Sequence, residues 1–172
     1  GVNTLRPVST VKDGKYEKVV INQEFPKTPL ASQELRIHRL AIGLYDIRNE
    51  KIVLRKSIKV DLDGEATEVT ELAGESEADL MIVNDQDLTY AKIRLDKRSI
   101  ATLKSHIGAI EDGLTRTVCW NMIWDMLRDA ELSASDFLEI VRNGFESEND
   151  ITTVTTLGNQ MAGAIENYAH PS

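Results

Sequence analysis

Cysteine is almost missing from this 172-residue sequence. The single Cys119 cannot form an internal disulfide, which suits a reducing compartment, and a cytoplasmic location is expected on that ground. Basic charge is also short: 20 Lys and Arg stand against 28 Asp and Glu, a formal net charge of −8. Nucleic acid and anionic membrane both require a basic patch, so neither is expected as a partner. No apolar run approaches the roughly 20 residues of a membrane span, and no basic-then-apolar signal segment opens the chain. Histidine occurs three times, at His38, His106 and His170, none with a second His or a Cys at metal-ligand spacing. H-E-x-x-H, G-x-S-x-G, the P-loop and G-x-G-x-x-G do not occur. No catalytic, cofactor-binding or metal-ligating residue is therefore assigned to this chain.

The residues that could still carry chemistry each have a plainer reading. The three histidines read as structural or solvated. Cys119 lies on an apolar helix face with no His at a fixed offset, and reads as a small buried hydrophobe. Trp120 and Trp124, four apart, read as packing between stacked helices rather than a ligand platform. Asp61-x-Asp63-Gly64 resembles the start of a calcium loop, but the Gly follows the second Asp directly, so a hairpin turn is expected. Asp85-x-Asp87 is likewise a turn. The acidic cluster Glu146–Asp150 supplies negative charge to a helix N-terminus.

What the sequence does contain is a change of period. Before residue 90 the apolar residues recur every two positions; after residue 96 they recur every three or four. An Ig-like antiparallel β-sandwich is expected over 1–95, followed over 96–172 by an all-α, helical-hairpin segment of solenoid type. In the first part, Thr4–Val11 and Tyr16–Gln23 flank an Asp13-Gly14 turn, and Pro7 marks an edge or a strand start. A longer loop runs from Pro26 through Pro29 to Gln33. In Leu35–Asp46, a bulge near His38-Arg39 is expected to bring Leu35 and Ile37 inward with Leu40, Ile42 and Leu44. Ile52–Leu62 is expected to bury Ile52, Leu54, Ile58, Val60 and Leu62 on one face. Asp63-Gly64 is read as a type I′ hairpin from which Ala66–Leu72 pairs back. Leu80–Val83 suits a strand buried on both faces. Tyr90–Leu95 alternates, with Tyr90, Lys92 and Arg94 on one side.

In the second part Asp96 caps a helix carrying Ile100, Leu103 and Ile107, with a break at Ile107-Gly108. A helix over Ala109–Ala130 is expected, its stripe Ile110, Leu114, Val118, Met122 and Met126. Ser133–Asp136 reads as a capping box before Phe137, and Gly144 as a stop. The last helix starts at Asn149 or Asp150. Its stripe, including Val154, Leu157 and Met161, is expected to stay uncovered and to promote self-association.

Beyond these patterns, several stretches resemble one family. Asn84-Asp85-x-Asp87-Leu88-Thr89-Tyr90-Ala91-Lys92-Ile93-Arg94-Leu95-Asp96 is similar to the passage from the third to the fourth domain in bacterial zinc aminopeptidases of the aminopeptidase N family. Val2–Pro7 resembles the tail of their catalytic domain, and His38–Asp46 their sandwich domain. Asp96–Leu103 and Cys119-Trp120…Trp124-Asp125-Met126 resemble the opening of their C-terminal helical domain. The resemblance covers almost the whole chain. It implies that the zinc motif and the exopeptidase motif G-x-M-E-N lie in an upstream catalytic domain, so zinc is expected in the parent and not in this fragment. It also implies intramolecular partners, namely the catalytic domain and the rest of the helical domain. The Gly1-Val2-Asn3 start, with no Met, is read as that of an excised piece. A non-catalytic spacer is the function expected, with Asn84–Thr89 as pivot or brace between the halves. The alternative is a free-standing β-sandwich plus helical protein-binding module.

Overall fold

The computed structural model describes residues 2–26 and 34–168; most of the Pro26–Gln33 loop and His170 lie outside the described residues. The chain divides into two compact units, Gly1–Asp46 with Leu54–Ser99, and Ile47–Val53 with Ile100–Ser172.

The strands are β1 (Thr4–Lys12), β2 (Lys15–Glu24), β3 (His38–Arg48), β4 (Lys51–Leu62), β5 (Ala66–Glu68), β6 (Leu80–Asp85) and β7 (Lys92–Ile93). They form a four-stranded sheet, β5-β2-β1-β7, and a three-stranded sheet, β4-β3-β6. This is the expected sandwich, antiparallel except where β1 and β7 run parallel, Thr4 opposite Lys92 and Leu5 opposite Ile93. Leu5, Ile21, Leu40, Ile42, Leu44, Leu62, Leu80 and Ile82 make up its dry core.

Local chemistry explains the tight turns. Asp13 and Gly14, and then Asn49 and Glu50, all have positive φ, as two-residue hairpins of type I′ require. Pro7 has a clear place as well. The carbonyls of Asn3 and Leu5 accept from Lys92 and Arg94 N–H, so the odd-numbered residues of β1 face β7. Pro7 is next along that edge, just beyond the paired residues, where a missing N–H discourages another strand from adding.

Several expectations for this half are corrected. Only Gly64 of the Asp63-Gly64 pair has positive φ, so no type I′ turn forms. The Thr67 hydroxyl instead donates to the Asp63 carbonyl and accepts from its N–H. The chain then crosses to the other sheet, where β5 pairs with β2 rather than back on β4. Thr70–Leu72 is a 3-10 turn that buries Leu72. Leu54 has the inward parity of β4 yet is 45% exposed, and Ile37, ahead of β3, is 75% exposed.

The bulge lies elsewhere than at His38-Arg39. Ala41 faces Asp85 and Ile42 faces Val83, which leaves Asn84 as the extra residue, at φ 62. The alternation of Tyr90–Leu95 shrinks to the two residues of β7, and Arg94, read as sharing a side with Tyr90 and Lys92, is 2% exposed where Tyr90 is 81% exposed.

The helices are α1 (Lys97–His106), α2 (Gly113–Arg128), α3 (Ala134–Gly144) and α4 (Ile151–Asn167), with 3-10 turns at Ile107–Ala109 and Phe145–Ser147. Asp96 accepts from Ser99 N–H at 2.9 Å and from its hydroxyl at 2.8 Å. Ser133 accepts from Asp136 N–H, and Asp150 from Thr153 N–H and hydroxyl. The Thr-rich start of α4 is helical because this cap satisfies its first donors, and Thr155 returns its hydroxyl to the Ile151 carbonyl.

The expected Ala109–Ala130 helix is shorter than its apolar pattern. Asp112 is the N-cap, accepting both Thr115 N–H and hydroxyl at 2.7 Å. Ile110 lies before it in extended backbone, bridged to Ile52, and Leu114 is 54% exposed. Those Thr115 hydrogen bonds, side chain first, hold the Asp112 carboxyl below its usual range. Replacing Asp112 with alanine is expected to cost about 1–2 kcal/mol. A depressed carboxylate stabilises the fold above its unfolded pKa and stops doing so as pH falls through its folded one. The difference between wild type and Asp112→Ala in urea melts should therefore shrink below about pH 4.

Candidate functional site

Three buried polar clusters organise the described residues, and each commits the side chains that could otherwise do chemistry. The first surrounds His38, at the start of β3 and 3% exposed. Its Nε2 lies 3.0 Å from Gln23 Oε1 and its Nδ1 2.7 Å from the Thr89 hydroxyl. The Gln23 amide nitrogen donates to the Arg36 and Gly64 carbonyls, which fixes its oxygen as the acceptor for Arg36 N–H and for the ring. The ring is thus protonated at Nε2 and accepts at Nδ1. Burial, and secondarily the Arg36 charge, push its pKa below the usual imidazole value.

The second cluster lies between β3 and β6. Asp85, 1% exposed, accepts the Tyr45 hydroxyl at 2.9 Å on both oxygens. Gly43 gives it room: a Cβ there would come within 2.5 Å of Asp85 Oδ2. Next to this cluster, the Asn84 side chain closes its own loop, donating to the Thr89 carbonyl and accepting Thr89 N–H. Asn84–Thr89, expected between the two halves, falls within the unit made of Gly1–Asp46 and Leu54–Ser99.

The third cluster belongs to the helical unit. Glu148 was read as part of an acidic cap, but its side chain is 4% exposed. It accepts from Arg116 Nε at 2.5 Å and from Trp120 Nε1 at 2.7 Å. Arg116 also donates to the Ile110 carbonyl. This one carboxylate thereby ties the turn after α3 to α2 and to the segment before it. From the cluster at residues 146–150, only Asp150 caps α4. Sequence reasoning missed Glu148 because nothing local separates it from Glu146.

The other candidates have positive assignments. Asp61 makes a two-point pair with Arg39, at 2.8 and 3.0 Å. Cys119 is fully buried. Trp120 packs over Gly144, and the Trp124 ring meets Phe137 at 5.5 Å and 50°. His106 closes α1 half-buried, its Nδ1 without a hydrogen-bond partner. The stripe expected to stay open on α4 is partly covered: Leu157 is 1% exposed, packed where α4 meets α3. The exposed apolar residues of α4 and its cap are Ile151, Ile165 and Tyr168. Two clefts adjoin Tyr168. One, of ≈ 680 Å³, includes Leu127, Leu132 and Leu138; the other, of ≈ 320 Å³, includes Trp124, Gln160 and Gly163.

These side chains do not fit a zinc site. Both nitrogens of His38 are taken, Cys119 is fully buried, and Glu148 already neutralises Arg116. Among the described residues, no three His, Cys, Asp or Glu side chains gather where a metal ion could sit.

The family described as the ERAP1-like C-terminal domain matches residues 80–172, from the first residue of β6 onward. An aminopeptidase N of Streptomyces lividans is 41% identical over 177 residues, a stretch that covers 100% of this chain and 21% of that protein. The chain therefore spans about a fifth of the length of the curated relative it matches. With more than half of its residues inside the match, the chain belongs to the ERAP1-like C-terminal domain family.

Proposed function

We propose that this chain is a non-catalytic spacer region of a zinc aminopeptidase that removes N-terminal residues from peptides. On this reading 1–95 is its sandwich domain and 96–172 opens its helical domain. The observation that carries the reading is the full-length likeness to one stretch of an aminopeptidase N, in a chain whose buried acids and histidine are already engaged with their neighbours. Zinc would act in the catalytic domain of the parent, outside these residues. The sandwich and helices would hold that domain and the rest of the helical domain in a fixed relation, restricting entry to peptide ends.

The partners on this reading are intramolecular. The two clefts beside Tyr168 and the exposed Ile165 are where further helices of the same polypeptide would pack. α4 offers a suitable surface, since Glu166 is its one charged residue between Ile151 and Asn167.

A chimera tests the proposal. This chain replaces its 41%-identical counterpart in the Streptomyces enzyme. The chimera is expected to fold, keep its zinc and hydrolyse aminoacyl anilides with KM within about tenfold of the parent, a shift of about 1.4 kcal/mol. A folded, zinc-loaded chimera with no turnover would contradict the spacer role.

A further inference from the structure

The His38 cluster does more than fill the core. It joins three segments that have little regular structure of their own: residues 34–37 before β3, the turn at Gly64, and the Asn84–Thr89 loop. Asn3 adds a bond to the Glu34 carbonyl. Each joint is a hydrogen bond from a buried side chain, and the imidazole is the titratable member of the chain Arg36–Gln23–His38–Thr89.

We propose that His38 is an acid-released latch: a proton taken from solvent at Nδ1 uses the lone pair that accepts the Thr89 hydroxyl, and frees the Thr89 end of the Asn84–Thr89 loop. A neutral ring needs one donor and one acceptor, and the site supplies one of each. An imidazolium has two donors and a charge. The Thr89 hydroxyl would then have to turn, and the charge would lie in a site 3% exposed.

The surrounding charges do not compensate. On the segment before β3 there are Arg36 and Glu34. On β2 there is Glu24, already paired with Arg6 at 2.8 Å. Asp63 and Glu65 flank Gly64, Asp85 ends β6 with its carboxylate on the Tyr45 hydroxyl, and Asp87 belongs to the loop. Among these, Arg36 is the charge that acts on the ring, and it opposes protonation, as burial does more strongly. The sign follows: a histidine with a lowered folded pKa favours the closed state at neutral pH. That preference is lost as pH falls below the unfolded value of about 6.5, and the loss levels off below the folded value.

The backbone N–H of Thr89, which donates to Asn84 Oδ1, is the direct reporter, and that of Arg36, which donates to Gln23 Oε1 on the Nε2 side of the ring, is the internal control. Hydrogen exchange on the whole chain at about pH 7.5 and about pH 5, corrected for intrinsic exchange, should show protection of Thr89 falling at least about tenfold in acid while that of Arg36 holds. In His38→Gln, a side chain that does not titrate, the acid-induced loss should vanish. A loss of equal size in that variant, or unchanged protection in wild type, overturns the latch. NMR titration of the His38 ring in wild type needs no variant. A ring titrating below about 6.5 together with the Thr89 resonances supports the latch. One titrating at or above that value, or without moving Thr89, overturns it.

Discussion

Replacing Glu148 with alanine is expected to destabilise the helical unit by about 3–5 kcal/mol, a large part of a typical domain's stability. The substitution removes few apolar contacts. Its cost comes from what remains behind: the Arg116 side chain, 13% exposed, loses its counter-charge, and Trp120 Nε1 loses its acceptor. A buried charge left alone costs far more than the pair contributed over two apolar side chains. Two further variants separate these effects. Glu148→Gln keeps an acceptor for Trp120 and loses the charge, so it should cost less, about 1.5–3 kcal/mol. Arg116→Leu combined with Glu148→Leu removes both charges and should be milder than the sum of the single changes by at least about 1 kcal/mol. Urea unfolding followed by tryptophan fluorescence measures wild type, these variants and the single Arg116→Leu and Glu148→Leu changes, since both tryptophans are on α2. If Glu148→Ala melts within about 0.5 kcal/mol of wild type, the carboxylate does not organise this unit.

Gly43→Ala should be nearly as damaging, about 2–5 kcal/mol, for the opposite reason: it adds an atom where there is no room. The new Cβ would lie 2.5 Å from Asp85 Oδ2, 2.6 Å from Tyr45 Cε2 and 2.9 Å from Asp85 Cγ. Overpacking of this kind costs about 1–3 kcal/mol. Pushing Asp85 off the Tyr45 hydroxyl adds the cost of an ill-satisfied buried carboxylate, about 1–3 kcal/mol more. Backbone freedom is not the issue, since Gly43 is not among the glycines with positive φ. The clash identifies a partial suppressor: an Asp85→Ala background removes the two contacts with Asp85 and leaves that with Tyr45 Cε2, so the two changes together should cost less than their sum. Additive effects would place the strain of Gly43→Ala elsewhere than at Asp85.

These two sites mark where sequence reading ends. A strand such as Leu80–Val83 is legible because burial on both faces needs an unbroken apolar run. Asp13-Gly14, Ser133 and Asp150 are legible because turn and cap chemistry is local. Partner choice is not local. Ala66–Glu68 carries no mark of pairing with β2 rather than with β4, because β5 takes its ladder bonds from whichever edge the sandwich presents. Arg94 shares the parity of Tyr90 and is buried where Tyr90 is exposed, which alternation alone does not distinguish. The Ala109–Ala130 pattern hides the Asp112 cap because apolar spacing continues on both sides of it. His38 reads as a residue at a bulge, whereas the extra residue is Asn84 and His38 joins the buried network beside it. The resemblance to aminopeptidase N, by contrast, was legible from short motifs in the right order, and the full-length likeness agrees with it.

The central claim is that this chain's polar groups are committed to holding structure and that the reaction belongs to residues outside it. Turnover of an aminoacyl anilide by the purified 172-residue chain, titrated with zinc, tests it most directly. The account predicts a rate equal to that of buffer at every zinc concentration, with no zinc retained after dialysis. Saturable, chelator-sensitive hydrolysis by the chain alone would contradict it.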